Sequence, residues 1–176
     1  MATKLLFIFT FMIFIGCLSN AACTKNRTLK VGDVAPDFTL FDQDGIEHTL
    51  SHMKGKKIAL YFYPKDKTPG CSRQACSIQK GLDNLMDEGI VIWGISGGSQ
   101  KSKRSFAQKF SLSYPLLVAT KKVLKAYNVY GNIFRLWLPK RHTFLINEEG
   151  IIVAILKDIS LNTHAQQIID EFSMHN

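Results

Sequence analysis

The chain has 176 residues, 46% of them hydrophobic and 20% charged, with a formal net charge of +8 and four cysteines. A single domain of that size buries a substantial core, which excludes a disordered chain, and the cysteines are too sparse for a small disulfide scaffold. The basic surplus is dispersed in small groups (Lys54, Lys56 and Lys57; Lys101, Lys103 and Arg104; Lys121, Lys122 and Lys125), with no long run and no aromatic interleaving. It reads as solvated faces, and nucleic acid is not an expected partner.

The N-terminus has the three-part shape of an export signal. Lys4 supplies the charge, Leu5–Gly16 is apolar but for Thr10, and small or polar residues follow through Ala22. The apolar run is too short to span a bilayer, which needs about 20 residues. Ser19-Asn20-Ala21 suits ordinary cleavage, giving residues 1–21 as signal, 22–29 as a polar tether and 30–176 as the folded domain. Alternatively, Phe14-Ile15-Gly16-Cys17 resembles a bacterial lipobox, with Cys17 as the lipid attachment point. Cys23 lies in the tether. Asn26-Arg27-Thr28 matches a glycosylation acceptor, which matters only in a eukaryotic secretory route. The expectation is an exported protein of the periplasm or cell envelope, soluble or lipid-anchored.

Beyond the tether, Phe38 and Leu40 alternate before the turn Asp42-Gln43-Asp44-Gly45, predicting a hairpin. Lys57–Tyr63 is a short apolar run bounded by lysines and Pro64, the pattern of a strand buried on both faces. From Cys71 to Gly89 the period lengthens, with Ile78, Leu82, Leu85 and Met86 predicting one amphipathic helix. Ile90–Ser96 reads as a second buried strand. Ser99 caps a basic helix to about Phe110, with Phe106 and Phe110 on one face. A short strand (Leu116–Val118), a short helix (Lys122–Tyr127), a hairpin (His142–Ile146 and Ile151–Leu156 around Asn147-Glu148-Glu149-Gly150) and a last helix (Asn162–Ser173) complete the chain. Strands alternating with helices and closing on a hairpin predict an α/β domain with a mixed sheet, in the order of a thioredoxin-like fold.

The chemistry concentrates between Tyr63 and Cys76. There a strand enters a loop (Pro64-Lys65-Asp66-Lys67-Thr68-Pro69-Gly70), and the loop opens a helix whose first turn holds Cys71. A helix N-terminus presents unpaired amides and a partial positive charge, which favour thiolate over thiol. Pro69 and Gly70 allow a sharp turn with amides facing whatever Cys71 attacks. Thr68 places a hydroxyl three residues before the sulfur, able to orient a small polar substrate. The five histidines have no ligand spacing beside a cysteine and no glycine-rich phosphate loop is present, so neither a metal nor a cofactor is expected.

This loop resembles the active site of peroxiredoxins, whose pattern of Pro, Thr and Cys falls on Pro64, Thr68 and Cys71. The extension to Cys76 is similar to the bacterioferritin comigratory protein subfamily, also called peroxiredoxin Q. The likeness runs on through residues 31–40, 59–76, 91–96 and 141–150. It implies a thioredoxin-like fold and thiol-dependent reduction of hydroperoxides, with Cys71 as the peroxidatic nucleophile and Cys76 as the resolving thiol in an intramolecular disulfide. It also implies Arg141 as the residue holding the peroxide, with Arg73 and Arg135 as rivals, and a thioredoxin or thioredoxin-like reductant. Intramolecular resolution is compatible with a monomer.

Five residues along an ideal helix separate two Cα atoms by roughly 8–9 Å, beyond the roughly 4.4–6.8 Å that a disulfide tolerates. The resemblance therefore implies local unwinding around Gly70–Ser77 on oxidation. Relatives often carry an acidic residue after the strand matching Leu116–Val118, absent here, and Asn147 stands where Asp is usual in the family. Ile133, Phe134, Leu136, Trp137 and Leu138 form an apolar cluster expected to wall the pocket or join the core. Two other readings remain. An envelope thioredoxin-like reductase or thiol chaperone acting on protein disulfides usually carries a closer Cys-x-x-Cys pair. A non-catalytic module would hold Cys71–Cys76 as a fixed bridge.

Overall fold

The computed structural model describes residues 28–131 and 138–175. The predicted signal, Cys17, Cys23, Arg135 and most of the 133–138 apolar cluster lie outside them.

The first hairpin pairs β1 (Thr39–Phe41) with β2 (Glu47–Thr49). Its turn is closed by Asp42, whose carboxylate accepts from the amides of Asp44 and Ile46 and bonds His48 at 2.8 Å. Burial alone would push that carboxyl up; the His48 bond and the two amides outweigh it and hold the pKa below the usual range. A 3₁₀ turn (Leu50–Met53) then leads to the main sheet.

That sheet has five strands: β3 (Lys57–Phe62), β4 (Ile90–Ser96), β5 (Leu116–Val118), β6 (Thr143–Ile146) and β7 (Ile152–Leu156), in the order β5-β4-β3-β6-β7. β3, β4 and β5 run parallel, while β6 and β7 are antiparallel additions on the other side of β3. The mixed sheet is the expected one. Among the described residues five α-helices accompany it: α1 (Pro69–Lys80), α2 (Leu82–Asp87), α3 (Gln100–Phe110), α4 (Lys121–Ala126) and α5 (His164–Ser173).

Alternation along the central strands divides the core in two. Ala59, Tyr61 and Tyr63 point to one face, joining Cys71 and Ile78 of α1, Phe106 of α3, and Ile168 and Phe172 of α5. Ile58, Leu60 and Phe62 point to the other, where Phe38 of the hairpin region, Trp93, Phe144 and Leu124 and Tyr127 of the α4 region pack. Continuous apolarity in β3 and β4 thus follows from both faces being covered. Gly94 serves this packing: a Cβ there would lie 2.6 Å from the Tyr61 hydroxyl and 2.8 Å from Leu116 Cδ2.

The helix predicted over 71–89 is in fact two, broken at Gly81. A Cβ on Gly81 would lie 2.5 Å from that of Ala165. The break is where α5 crosses, a tertiary contact that periodicity does not encode. Asn147 carries the turn between β6 and β7, its side chain accepting from the Ile151 amide at 2.8 Å. Thr120 caps α4 by accepting from the Val123 amide. The two departures from the family pattern therefore lie at a turn and a helix cap.

Candidate active site

Each part of the 63–76 stretch has a local cause. β3 ends at Phe62, and Pro64, which cannot donate to a ladder, starts the loop. Lys67 sits in the left-handed region with φ of 63°. Thr68 is extended, as a residue before proline must be, and Pro69 takes the first helical position. The first helical bond runs from the Ser72 amide to the Thr68 carbonyl at 2.8 Å, so the Gly70 and Cys71 amides belong to the unpaired N-terminal set.

Beneath the loop lies a buried polar knot. Asp66 accepts from the Tyr63 hydroxyl at 2.7 Å, the Ser102 hydroxyl at 2.6 Å and the Lys103 ammonium at 2.8 Å. Lys103 also donates to the Ser96 hydroxyl and to the Gly97 carbonyl, with its Nζ 4.9 Å from the Tyr63 ring centre. Lys103 is wholly buried, which corrects its placement on a solvated face; Lys101 and Arg104 remain outside. Burial pulls the Lys103 ammonium below its usual range, and the Asp66 charge opposes that. Lys103 lies three residues before Phe106, on the inward stripe of α3, and that spacing was the available signal.

Cys71 itself is 2% exposed, in the first turn of α1. Arg141 Nη2 donates to its sulfur at 3.2 Å. The two meet because β6 runs antiparallel to β3, so the two residues leading into β6, Arg141 and His142, stand beside the exit of β3; the Phe62 amide bonds the His142 carbonyl at 2.8 Å. Gly70 lies beside this pair, a Cβ there meeting Arg141 Nη2 at 3.5 Å and Leu161 Cδ1 at 3.7 Å, both ordinary contact distances. Arg73 is exposed and so takes no part in this arrangement. Pro64 is half-buried at the start of the loop. The Thr68 hydroxyl donates to the Lys65 carbonyl at 3.2 Å rather than capping α1, which leaves its oxygen free to accept.

Cys76 is half-buried in the same helix, and both cysteines are free thiols. Below its turn, Tyr114 donates to the Ala75 carbonyl at 3.2 Å and shares a 2.9 Å bond with Tyr61. Burial raises both hydroxyls far enough to keep them protonated. Behind Arg141 stand three buried polar residues that motif reading did not find: Gln74, His164 and Thr143. Arg141 Nη1 donates to Gln74 Oε1. Gln74, three residues after Cys71, shares its helix face, so the spacing pointed to it; nothing in the sequence pointed to His164. No cluster able to hold a metal occurs among the described residues.

The AhpC/TSA family model matches residues 31–155. A peroxiredoxin bcp of Coxiella burnetii is 38% identical over 147 residues, covering 81% of this chain and 97% of its own. The chloroplast peroxiredoxin Q of Triticum aestivum is 41% identical over 122 residues, 69% of this chain but only 56% of its own, so this chain spans about half the length of that relative. Among solved structures, the bacterioferritin comigratory protein of Xanthomonas campestris, studied for its alkyl peroxide reduction activity, matches with a TM-score of 0.71 at 26% identity, over 79% of this chain and 92% of that one.

Proposed function

Since the chain belongs to the AhpC/TSA family and is a peroxiredoxin, a thiol-dependent peroxidase, we propose that Cys71 is its peroxidatic nucleophile and Cys76 its resolving thiol. The observation that carries this reading is the Arg141 donor on the Cys71 sulfur where α1 begins. A guanidinium and a helix N-terminus both stabilise negative charge on sulfur. The Cys71 thiolate attacks the terminal oxygen of the hydroperoxide, and the oxygen–oxygen bond breaks. Sulfur is oxidised to the sulfenic acid, and the departing oxygen takes a proton to leave as water or an alcohol. Arg141 and the Thr68 oxygen hold the peroxide, and Pro64 shapes the loop against them. The Cys76 thiolate then attacks the Cys71 sulfur, forming the disulfide and expelling hydroxide, which is protonated to water. A thioredoxin-like dithiol restores both thiols. The Xanthomonas protein's activity supports alkyl hydroperoxides, beside hydrogen peroxide, as substrates.

Purified protein supplied with a dithiol should consume peroxide, and Cys71→Ser should abolish it. Retained peroxide consumption in Cys71→Ser overturns the assignment. Insulin reduction without peroxide turnover would instead indicate the reductase reading, and inertness in both would indicate the binding module. The N-terminal segment supports export, with cleavage after Ala21 or lipidation at Cys17, and a monomer in the envelope served by a local thioredoxin-like reductant. Mass spectrometry of the mature N-terminus tests this: an intact Met1 sinks export with cleavage, and a diacylated Cys17 replaces simple cleavage with anchoring.

A further inference from the structure

Gln74, His164 and Thr143 are all fully buried, so the hydrogen bonds among them have no water to substitute for a lost partner. Their atom-by-atom roles follow from one end of the chain. Arginine can only donate, so the Gln74 atom facing Arg141 Nη1 is the carbonyl oxygen. The Gln74 amide nitrogen therefore faces His164 Nδ1, at 3.1 Å, and that nitrogen must accept. The imidazole proton then lies on Nε2, 3.1 Å from Thr143 Oγ1. The backbone joins in: the His164 amide donates to the Ser77 hydroxyl at 2.7 Å, pinning the start of α5 to α1. Burial, with the Arg141 charge second, draws the ring's pKa down to about 3, so one neutral tautomer persists at working pH.

We propose, resting on the roles assigned above to Cys71 and Arg141, that His164 is a positioning residue for peroxide reduction: its Nδ1, accepting from the Gln74 amide, braces that amide with its oxygen on Arg141 and so keeps Nη2 aimed at the Cys71 sulfur. A Gln74 amide rotated by half a turn would set its NH₂ against the guanidinium, donor against donor, and Arg141 would leave the sulfur. The planar fork transmits this directly, because Nη1 and Nη2 belong to one rigid group. His164 touches neither sulfur nor peroxide, and its effect runs wholly through Gln74 and Arg141.

Two substitutions separate positioning from packing. His164→Asn places Oδ1 near the site of Nδ1 and keeps an acceptor for Gln74, while His164→Gln keeps the Thr143 side and leaves Gln74 without one. Both should lower the melting temperature. Only His164→Gln should slow Cys71 oxidation by hydrogen peroxide, by about tenfold, the scale of one lost charge-assisted hydrogen bond, and move the pH profile of Cys71 alkylation to higher pH. Equal rates in the two variants would overturn the proposal. In a Gln74→Leu background, adding His164→Gln should change the rate no further, and additive losses would also overturn it. Failure of the peroxidase assignment itself shows separately, as peroxide turnover surviving Cys71→Ser.

Discussion

At the scale of single residues, two cations do different work. Arg141 spans two acceptors with one planar group, Gln74 Oε1 on one nitrogen and the Cys71 sulfur on the other. A lysine keeps the charge but has no fork to span both. Arg141→Lys should therefore reduce the rate of peroxide reduction by roughly 10²-fold, the cost of a lost preorganised donor, with only a small change in melting temperature. Stopped-flow oxidation of Cys71 measures it, and a near-native rate would show that charge alone suffices. Lys103 is the opposite case, a buried cation whose hydrogen bonds all go to the knot beneath the loop, to Asp66, Ser96 and Gly97. Replacing it by methionine leaves the Asp66 carboxylate buried without its counter-ion, a loss of about 3–5 kcal/mol. Asp66→Asn added to Lys103→Met should recover part of that loss, because the neutral amide oxygen can still accept from Tyr63 while its NH₂ donates to the Ser102 hydroxyl, which can accept. Denaturant titration of both variants checks the pair, and equal stabilities would mean that Asp66 carries no uncompensated charge.

At the scale of elements, α1 is asked to be two things. As a regular helix it seats Cys71 against Arg141 and buries Gln74, Ala75, Ser77 and Ile78. That same regularity keeps Cys76 out of bonding range, since five helical residues span roughly 8–9 Å. Oxidation should therefore melt the turn around Gly70–Ser77 and release the Tyr114 bond to the Ala75 carbonyl. Amide exchange should be protected there in the reduced protein and fast in the disulfide form; equal protection in both would exclude unwinding. The other end of α1 is fixed by packing at Gly81. Gly81→Ala should destabilise by about 1–3 kcal/mol through overlap with Ala165, and Ala165→Gly in the same chain should restore it. This junction also marks where sequence reading stops. β3, β4, α3 and the two hairpins were legible because their periods of 2 and 3.6 and their turn residues are local properties. The division of the 71–89 segment was not legible, because its cause lies 84 residues away in sequence at Ala165.

At the scale of the whole molecule, the site is legible only in part, for the same reason. The loop, Cys71 and the distant Arg141 each announce themselves by residue type in a recognisable pattern. Of the partners that hold them, Gln74 is signalled by its spacing from Cys71 on α1, whereas Thr143 and His164 come from β6 and α5 and only the folded sheet brings them in. His164 makes the whole structure sensitive to acid. Its ring faces Gln74, Thr143 and the Arg141 charge, with the Tyr61 ring centre 6.0 Å away. Burial, then Arg141, depresses its pKa from the ordinary 6.5 to about 3. Between those values the unfolded chain binds a proton there and the folded chain does not, so stability falls as pH falls, by up to about 1.4 kcal/mol per pH unit. His142 adds in the same direction, depressed by its burial and by Lys157 and Lys140. Asp42, also depressed, adds its loss at lower pH, as the folded carboxylate is finally protonated. His164→Asn removes the largest of these titrations while keeping an acceptor in place. Its unfolding free energy should decline more gently than the native protein's from pH 6.5 toward pH 4, and parallel slopes in the two proteins would show that the folded chain tolerates a charged ring at this position.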